Sequence, residues 1–165
     1  MELAEKISCI REGLLMNTYP MRYNPHSLAE NCYAYAIGSE YRENSDDNLY
    51  VFNLGTMSQK GFPKTIMSAR SIFMADMEAL GIECKDSSYD EPVQSGEWKV
   101  KLLYRDPEAT WLKSPGFHVV RQDIDGRWSQ KRGCTLWGEI ERIKGEKWGY
   151  EDHELVGFFK LKLIK

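Results

Sequence analysis

One cysteine and one distant histidine are the residues of this sequence best suited to nucleophilic chemistry. Cys32 lies in the run NCYAYAIG, residues 31–38, and His118 lies in the run FHVVRQDIDGRWSQK, residues 117–131. An imidazolium beside a thiol lowers the pKa of the thiol, which makes a thiolate available at neutral pH. The two runs therefore raise the hypothesis of a cysteine nucleophile with a histidine base. Each residue also has a structural explanation, because free cysteines and strand histidines are commonly buried.

The helix that carries the cysteine has two possible N-termini, with different chemical consequences. Ser27 and Glu30 match an S-x-x-E capping box, which would begin the helix at Leu28 and place Cys32 in its second turn. Asn31 as the N-cap would instead make Cys32 the first helical residue, beside free N–H groups and the positive end of the helix dipole. Only the second arrangement favours a thiolate.

The hairpin that follows the histidine also has two possible registers. A two-residue turn at residues 125–126 places Gln130 on the face of the hairpin away from His118. A three-residue loop at residues 124–126, with its glycine in the left-handed conformation of a bulge, places Gln130 opposite Val120 and on the histidine's face. The register therefore decides whether the glutamine can contact the histidine.

The pattern of apolar residues predicts the elements that position these side chains. Helical spacing dominates the N-terminal half and alternation dominates the C-terminal half, which predicts an α+β fold with helices packed on an antiparallel β-sheet. Lys6, on the first helix, is expected to face water, and the mixed-charge segment 138–154 is expected to be a solvated excursion. The predicted helices are residues 2–16, a short helix within 31–38, and 64–80; the predicted strands are 97–104, 117–122, 127–131 and 155–164, with a possible strand at 49–54.

Length and composition place limits on the class of protein. A chain of 165 residues with 42% hydrophobic and 28% charged residues suits a single domain, residues 1–165, with its own core. A formal net charge of −3 gives no general attraction to nucleic acid or to anionic lipid. No apolar run approaches the roughly 18 residues of a membrane span, and the N-terminus lacks the apolar core of a signal peptide. We therefore expect a cytoplasmic protein without nucleic-acid or membrane partners, although delivery by a phage or a secretion system is possible.

The four cysteines are spaced unlike a metal or disulfide framework. Cys9, Cys32, Cys84 and Cys134 contain no C-x-x-C pair, so we interpret them as reduced thiols and expect no metal and no cofactor. A zinc ion held by Cys32 and His118 would lack a second coordinating pair. Cys9 and Cys84 are expected to be structural, and Cys134 would form a redox switch only if it approached Cys32.

The two motifs together resemble a known group of enzymes. N-C-Y-A-Y-A followed by H-x-x-R-Q-D-x-D-G-x-W-S-x-K-x-G is similar to bacterial and phage relatives of the NlpC-type cysteine peptidases, within the papain-like superfamily. The resemblance implies a nucleophile helix packed on an antiparallel sheet, with a histidine on a neighbouring strand. Residue by residue, it implies Cys32 as the nucleophile, His118 as the base and Gln130 as the residue that orients the imidazole.

Gln130 departs from the pattern of the group, which usually has histidine at this position. An amide oxygen can fix the tautomer of the imidazole, but it supplies no charge to stabilise an imidazolium. Asp123 and Asp125 are alternative orienting residues, although aspartates in a hairpin loop more often cap the turn. Donors for an oxyanion would come from the Cys32 amide or from side chains near it. The candidates for that role are Tyr23, His26 and Asn31.

The reaction implied by the resemblance is acyl transfer through a Cys32 thioester on a peptide or protein substrate. Peptidases, amidases and glutamine deamidases share this first half-reaction, so the residues do not select among them. The alternative is a catalytically weak or inactive papain-like domain that serves as a protein-binding or inhibitory module. In that alternative, exposed tryptophans would line the partner surface. The candidates are Trp128, Trp137 and Trp148.

Overall fold

Three α-helices and six β-strands make up the part of the chain that the structure, a computed structural model, describes: residues 1–43, 50–109, 116–132, 139–143 and 152–165. The predicted α+β class is confirmed. No helix within these ranges is long and apolar enough to cross a membrane. The elements are α1 (Leu3–Leu15), α2 (Cys32–Ile37), α3 (Ile66–Ala79), β1 (Ile82–Ser87), β2 (Glu97–Arg105), a 3-10 turn (Pro107–Ala109), β3 (Gly116–Gln122), β4 (Trp128–Lys131), β5 (Ile140–Ile143) and β6 (Glu154–Leu163).

The six strands form one antiparallel sheet in the order β1-β6-β2-β3-β4-β5. Successive side chains of a strand point to opposite faces, so the sheet has two distinct surfaces. The surface that packs against the helices is called here the helix face, and the other surface is called the opposite face. Buried residues of the helix face include Trp98, Val100, Leu102, Val119, Phe159 and Leu161. A smaller cluster on the opposite face contains Val120, Trp128 and Phe158.

The N-terminal helix begins and ends within one residue of the predicted bounds, but one of its polar residues is buried. Ile10 and Leu14 face the core as helical spacing requires. Lys6, expected to face water, is 1% exposed, and its Nζ lies 2.7 Å from Glu43 Oε2. A buried ammonium needs such a partner because leaving water is costly for a charge. Sequence periodicity could not identify this partner, which is 37 residues away.

The segment predicted as a possible strand at 49–54 consists of turns over its described residues. Its apolar side chains are buried like those of a strand, which explains the wrong prediction. Within the segment, Val51 N donates to Glu43 Oε1 at 2.6 Å instead of to a neighbouring strand. In the turns that directly follow, the fully buried Asp76 of α3 accepts hydrogen bonds from Gly55 N at 2.8 Å and Ser58 N at 2.9 Å. The same carboxylate accepts the Tyr33 hydroxyl at 2.9 Å, so it joins α3, α2 and the turn segment.

Two strands were missed by the sequence patterns. β1 carries alternating charges that resemble a loop, and β5 lies inside the segment 138–154 that was expected to be solvated. Ile82 and Cys84 of β1 nevertheless pair with Leu163 and Leu161 of β6 on the helix face. Short, charged edge strands of this kind depend on pairing with a neighbouring strand, which a local pattern does not contain.

Replacement of Asp76 by alanine is expected to lower the free energy of unfolding by about 2–4 kcal/mol, because buried N–H groups lose their charged acceptor. Tyr33→Phe, which removes one hydrogen bond to the same carboxylate, is the matched control and is expected to cost about 1 kcal/mol. Urea unfolding followed by tryptophan fluorescence measures both. A loss for Asp76→Ala no larger than that for Tyr33→Phe would contradict this role.

Candidate functional site

The helix α2 begins at Cys32, and Asn31 is its N-cap. Asn31 has an extended backbone conformation, and its Oδ1 accepts a hydrogen bond from Ala34 N at 2.9 Å. Gly38, with φ of 84°, ends the helix in the left-handed conformation that glycine adopts without strain. The second of the two predicted N-termini is therefore confirmed.

The competing capping box is wrong because its residues have other partners. Glu30 Oε1 accepts a hydrogen bond from Glu43 N at 2.5 Å, and Ser27 Oγ accepts one from Ala29 N at 3.2 Å. The chain before Asn31 thus forms turns held by these contacts, not a helical turn.

The hairpin between β3 and β4 has the three-residue loop. Arg121 pairs with Ser129, and Asp123 N donates to Arg127 O at 2.8 Å, which leaves residues 124–126 as the loop. Gly126 has φ of 83°, the left-handed value required of the bulge position. This register places Gln130 on the same face of the hairpin as His118.

His118 and Gln130 are brought together and belong to a longer chain of hydrogen bonds. His118 Nε2 is hydrogen-bonded to Gln130 Oε1. Gln130 Nε2 donates to Glu141 Oε1 at 2.6 Å, and Arg132 Nε donates to the same oxygen at 2.6 Å. Glu141 comes from β5, so the sequence patterns did not identify this residue. Gln130, which is itself neutral, therefore links His118 to the carboxylate of Glu141.

The chemistry of these partners fixes the proton on His118. A carboxylate only accepts, so the amide nitrogen of Gln130 must face Glu141 and its oxygen must face the imidazole. Nε2 of His118 therefore carries the proton, and Nδ1 has the lone pair. Burial is the main reason that the pKa of His118 is lowered to about 4. The hydrogen bond to Gln130 opposes this effect and raises the pKa, whereas the nearby charges of His153, Arg132 and Lys101 lower the pKa further. The imidazole is neutral at pH 7.

The helix α2 packs on the helix face of the sheet through Tyr33 and Tyr35. The Tyr35 hydroxyl and Ser129 Oγ are 2.7 Å apart, and the Arg121 guanidinium lies 4.1 Å from the centre of the Tyr35 ring. The rings of Tyr33 and Phe117 have centroids 5.8 Å apart. These contacts place Phe117 and Arg121 of β3 on the side of α2.

The same contacts place the predicted nucleophile and base on different sides of the sheet. His118 lies between Phe117 and Val119 in β3, and both of these neighbours belong to the packing of the helix face. Its side chain therefore points to the opposite face, where Gln130 and Val120 also lie. Cys32 is on the helix that packs against the helix face. The structure thus joins His118 with Gln130 on the face of the sheet opposite to the one on which the Cys32 helix packs.

The three oxyanion candidates have other positions or contacts. Asn31 uses its side-chain oxygen to cap α2, and its Nδ2 donates to Phe52 O at 3.0 Å. The Tyr23 hydroxyl donates to Ile140 O at 3.2 Å, and its ring lies under Arg142. His26 is exposed in the loop before α2. Neither Asn31 nor Tyr23 presents its polar group to a substrate beside the thiol.

The two aspartates of the hairpin are structural and do not orient the imidazole. Asp123 Oδ1 accepts a hydrogen bond from Arg121 Nε at 3.0 Å, on the helix face. Asp125 Oδ1 accepts one from Arg127 N at 3.1 Å, and its other oxygen is paired with Arg142 at 2.7 Å. The expectation that Asp125 caps the turn is confirmed.

The remaining candidate residues are buried, exposed or outside the described part of the chain, and none of them adds to the site. Trp128 is 4% exposed and stacks on Tyr89, with centroids 6.2 Å apart, so it is not available to a partner. Cys84 packs against the core, as expected, and burial raises its pKa to about 12. Cys9, also expected to be structural, is exposed on α1. The described ranges contain no group of three or more potential metal ligands. Trp137, Trp148 and Cys134 fall within residues that the structure does not describe.

Comparisons of the chain with protein-family models, with curated proteins and with solved structures find no match. The similarity of the two motifs to NlpC-type peptidases is therefore a resemblance between short runs of residues.

The low pKa of His118 predicts a loss of stability in mild acid. The folded pKa of about 4 lies below the ordinary value of 6.5, so between these pH values the unfolded chain binds a proton that the folded chain does not. The contribution of the neutral His118 to the free energy of unfolding is fully present above pH 6.5 and is lost as the pH falls toward 4. NMR titration of the imidazole should give a midpoint near 4, and His118→Gln should flatten the fall of the unfolding free energy. A midpoint near 6.5 would contradict this environment.

Proposed function

We propose that this chain is a catalytically inactive, papain-like domain that works by binding another protein. The observation that carries the proposal is the alternation of β3, which directs His118 to the face of the sheet opposite to the one on which the Cys32 helix packs. A general base must lie within hydrogen-bond reach of the proton that it removes, directly or through one water. An imidazole on the far side of a strand does not meet this condition.

The state of the histidine supports the same proposal. A thiolate–imidazolium pair requires a histidine that is protonated at neutral pH. The pKa of His118 is lowered to about 4, chiefly by burial, so its side chain is neutral under these conditions. Its connection to Glu141 through Gln130 is consistent with a buried hydrogen-bond chain that fixes β3, β4 and β5 relative to one another.

The surface that best suits a protein partner lies on the helix side of the molecule. A cleft of about 430 Å³ lies between α1, the loop before α2 and the end of α2. Two large apolar side chains adjoin its lining residues: Leu28 is 52% exposed and follows Ser27, and Ile124 is 57% exposed and donates its N–H to Met21 O. A protein bound in this cleft would cover Leu28 and Ile124, which are otherwise exposed to water. The lining includes Ile10, Met21, Asn24, Ser27, Tyr41 and Arg121.

A second candidate function is a cysteine-dependent amide hydrolase or acyltransferase that forms a Cys32 thioester. The observation that favours it is the N-cap: Asn31 makes Cys32 the first residue of α2, where backbone N–H groups favour a thiolate. In this alternative, the base could not be His118 in its present position.

Alkylation of the cysteines separates the two candidates. Iodoacetamide labelling of the folded protein between pH 5 and 9, followed by mass spectrometry, should show Cys32 reacting no faster than an ordinary thiol. His118→Ala should leave the pH profile of Cys32 unchanged, because the imidazole lies on the other face of the sheet. The exposed Cys9 provides an internal reference in the same samples.

The opposite result is fast labelling of Cys32 at low pH, and its dependence on His118 identifies the base. Rapid labelling of Cys32 well below pH 8, lost in a folded His118→Ala variant, would show a thiolate–imidazole pair and would refute the binding proposal. Rapid labelling that persists in His118→Ala would favour the hydrolase with a different base.

A further inference from the structure

β1 is an edge strand whose outer backbone groups point away from the sheet. Ile164 N donates to Gly81 O at 2.9 Å, so residues 81, 83, 85 and 87 direct their backbone groups toward β6. The intervening residues, Ile82, Cys84 and Asp86, direct theirs outward. Within the described ranges, no strand pairs with this side of β1. Such an edge is a template for another strand.

The charges of β1 are complementary to a second copy of the same strand. If two copies of β1 run antiparallel about Cys84, Glu83 of each copy lies directly opposite Lys85 of the other. Both side chains are on the opposite face, with Lys85 65% and Glu83 43% exposed, and within one copy Lys85 Nζ lies 2.8 Å from Glu83 Oε1. Opposite charges at directly facing positions stabilise a strand pair. A lysine on an edge strand usually disfavours pairing with another strand. In this register, Lys85 faces Glu83 of the second copy in addition to Glu83 of its own strand.

A groove lies beside β1 on the side where the second strand would add to the sheet, and Arg70 in its wall is paired with Asp86 of β1. This groove, of about 440 Å³, runs between α3 and the outer edge of β1. Its α3 wall contains Arg70, Ser71, Met74, Ala75 and Glu78. In the antiparallel register, the Ile82 and Cys84 side chains of the second copy lie on the helix face, which is the side on which this groove opens.

We infer that β1 pairs with β1 of a second copy of this chain, so that two sheets join into one across a two-fold axis at Cys84. The three outward residues of each strand supply the backbone hydrogen bonds, and the two Glu83–Lys85 pairs set the register. This inference concerns a different surface from the cleft of the proposed function and does not depend on it.

Charge reversal tests the register. Sedimentation equilibrium of the full chain should show a dimer, and Lys85→Glu should weaken it about tenfold, because both charge pairs become repulsive. The double variant Glu83→Lys with Lys85→Glu should restore the affinity, since it exchanges the charges without changing the composition. Lys60→Glu, at an exposed lysine in the loop before α3, has the same net charge as Lys85→Glu and should leave the dimer unchanged.

Amide hydrogen exchange provides the second readout. Ile82, Cys84 and Asp86 should gain protection as the protein concentration rises, whereas Glu83 and Lys85 should be protected at every concentration by their bonds to β6. A chain that stays monomeric at millimolar concentration, or a dimer unaffected by Lys85→Glu, would overturn the inference. Protection of the outward amides only after another protein is added would also overturn it, in favour of a different partner.

Discussion

The alternation of side chains along β3 is the constraint on which the rest of this structure depends. Phe117, Val119 and Arg121 must face the helices, because they supply the apolar and aromatic contacts on which α2 rests. The residues between them must then face the other way. His118 is therefore directed to the opposite face by the same packing that holds the cysteine helix in place, and a change of one residue in register would expose the core.

Buried charged groups hold the elements around this constraint in position. Arg121 is 2% exposed and donates to Asp123, to Tyr35 O at 3.0 Å and to the Tyr35 hydroxyl at 3.1 Å, so it joins β3 to α2. Asp76 performs a comparable function between α3 and the turn segment. Groups of this kind are expensive to bury unless they are hydrogen-bonded, and these bonds favour a single arrangement of the helices on the sheet.

Local chemistry in the sequence reduced two parts of the site to a choice between two arrangements each. The Asn31 cap and the glycine bulge at residue 126 follow from the conformations that these residue types adopt, but a Ser27–Glu30 capping box and a two-residue turn satisfied the same local rules. The contact between His118 and Gln130 followed once the register was known. The side of the sheet on which α2 packs could not be predicted, since it depends on contacts such as Tyr35 with Ser129, which are 94 residues apart. Glu141 was missed for the same reason.

The separation of the cysteine from the histidine is tested most directly by proton–proton NOEs in the folded protein. The account predicts NOEs between the rings of Tyr33 and Phe117 and between the His118 ring and the Gln130 side chain, with none between the Cys32 β-protons and the His118 ring. NOEs from the Cys32 β-protons to the His118 ring, in a sample that also shows the other two contacts, would place thiol and imidazole on one face and contradict the account.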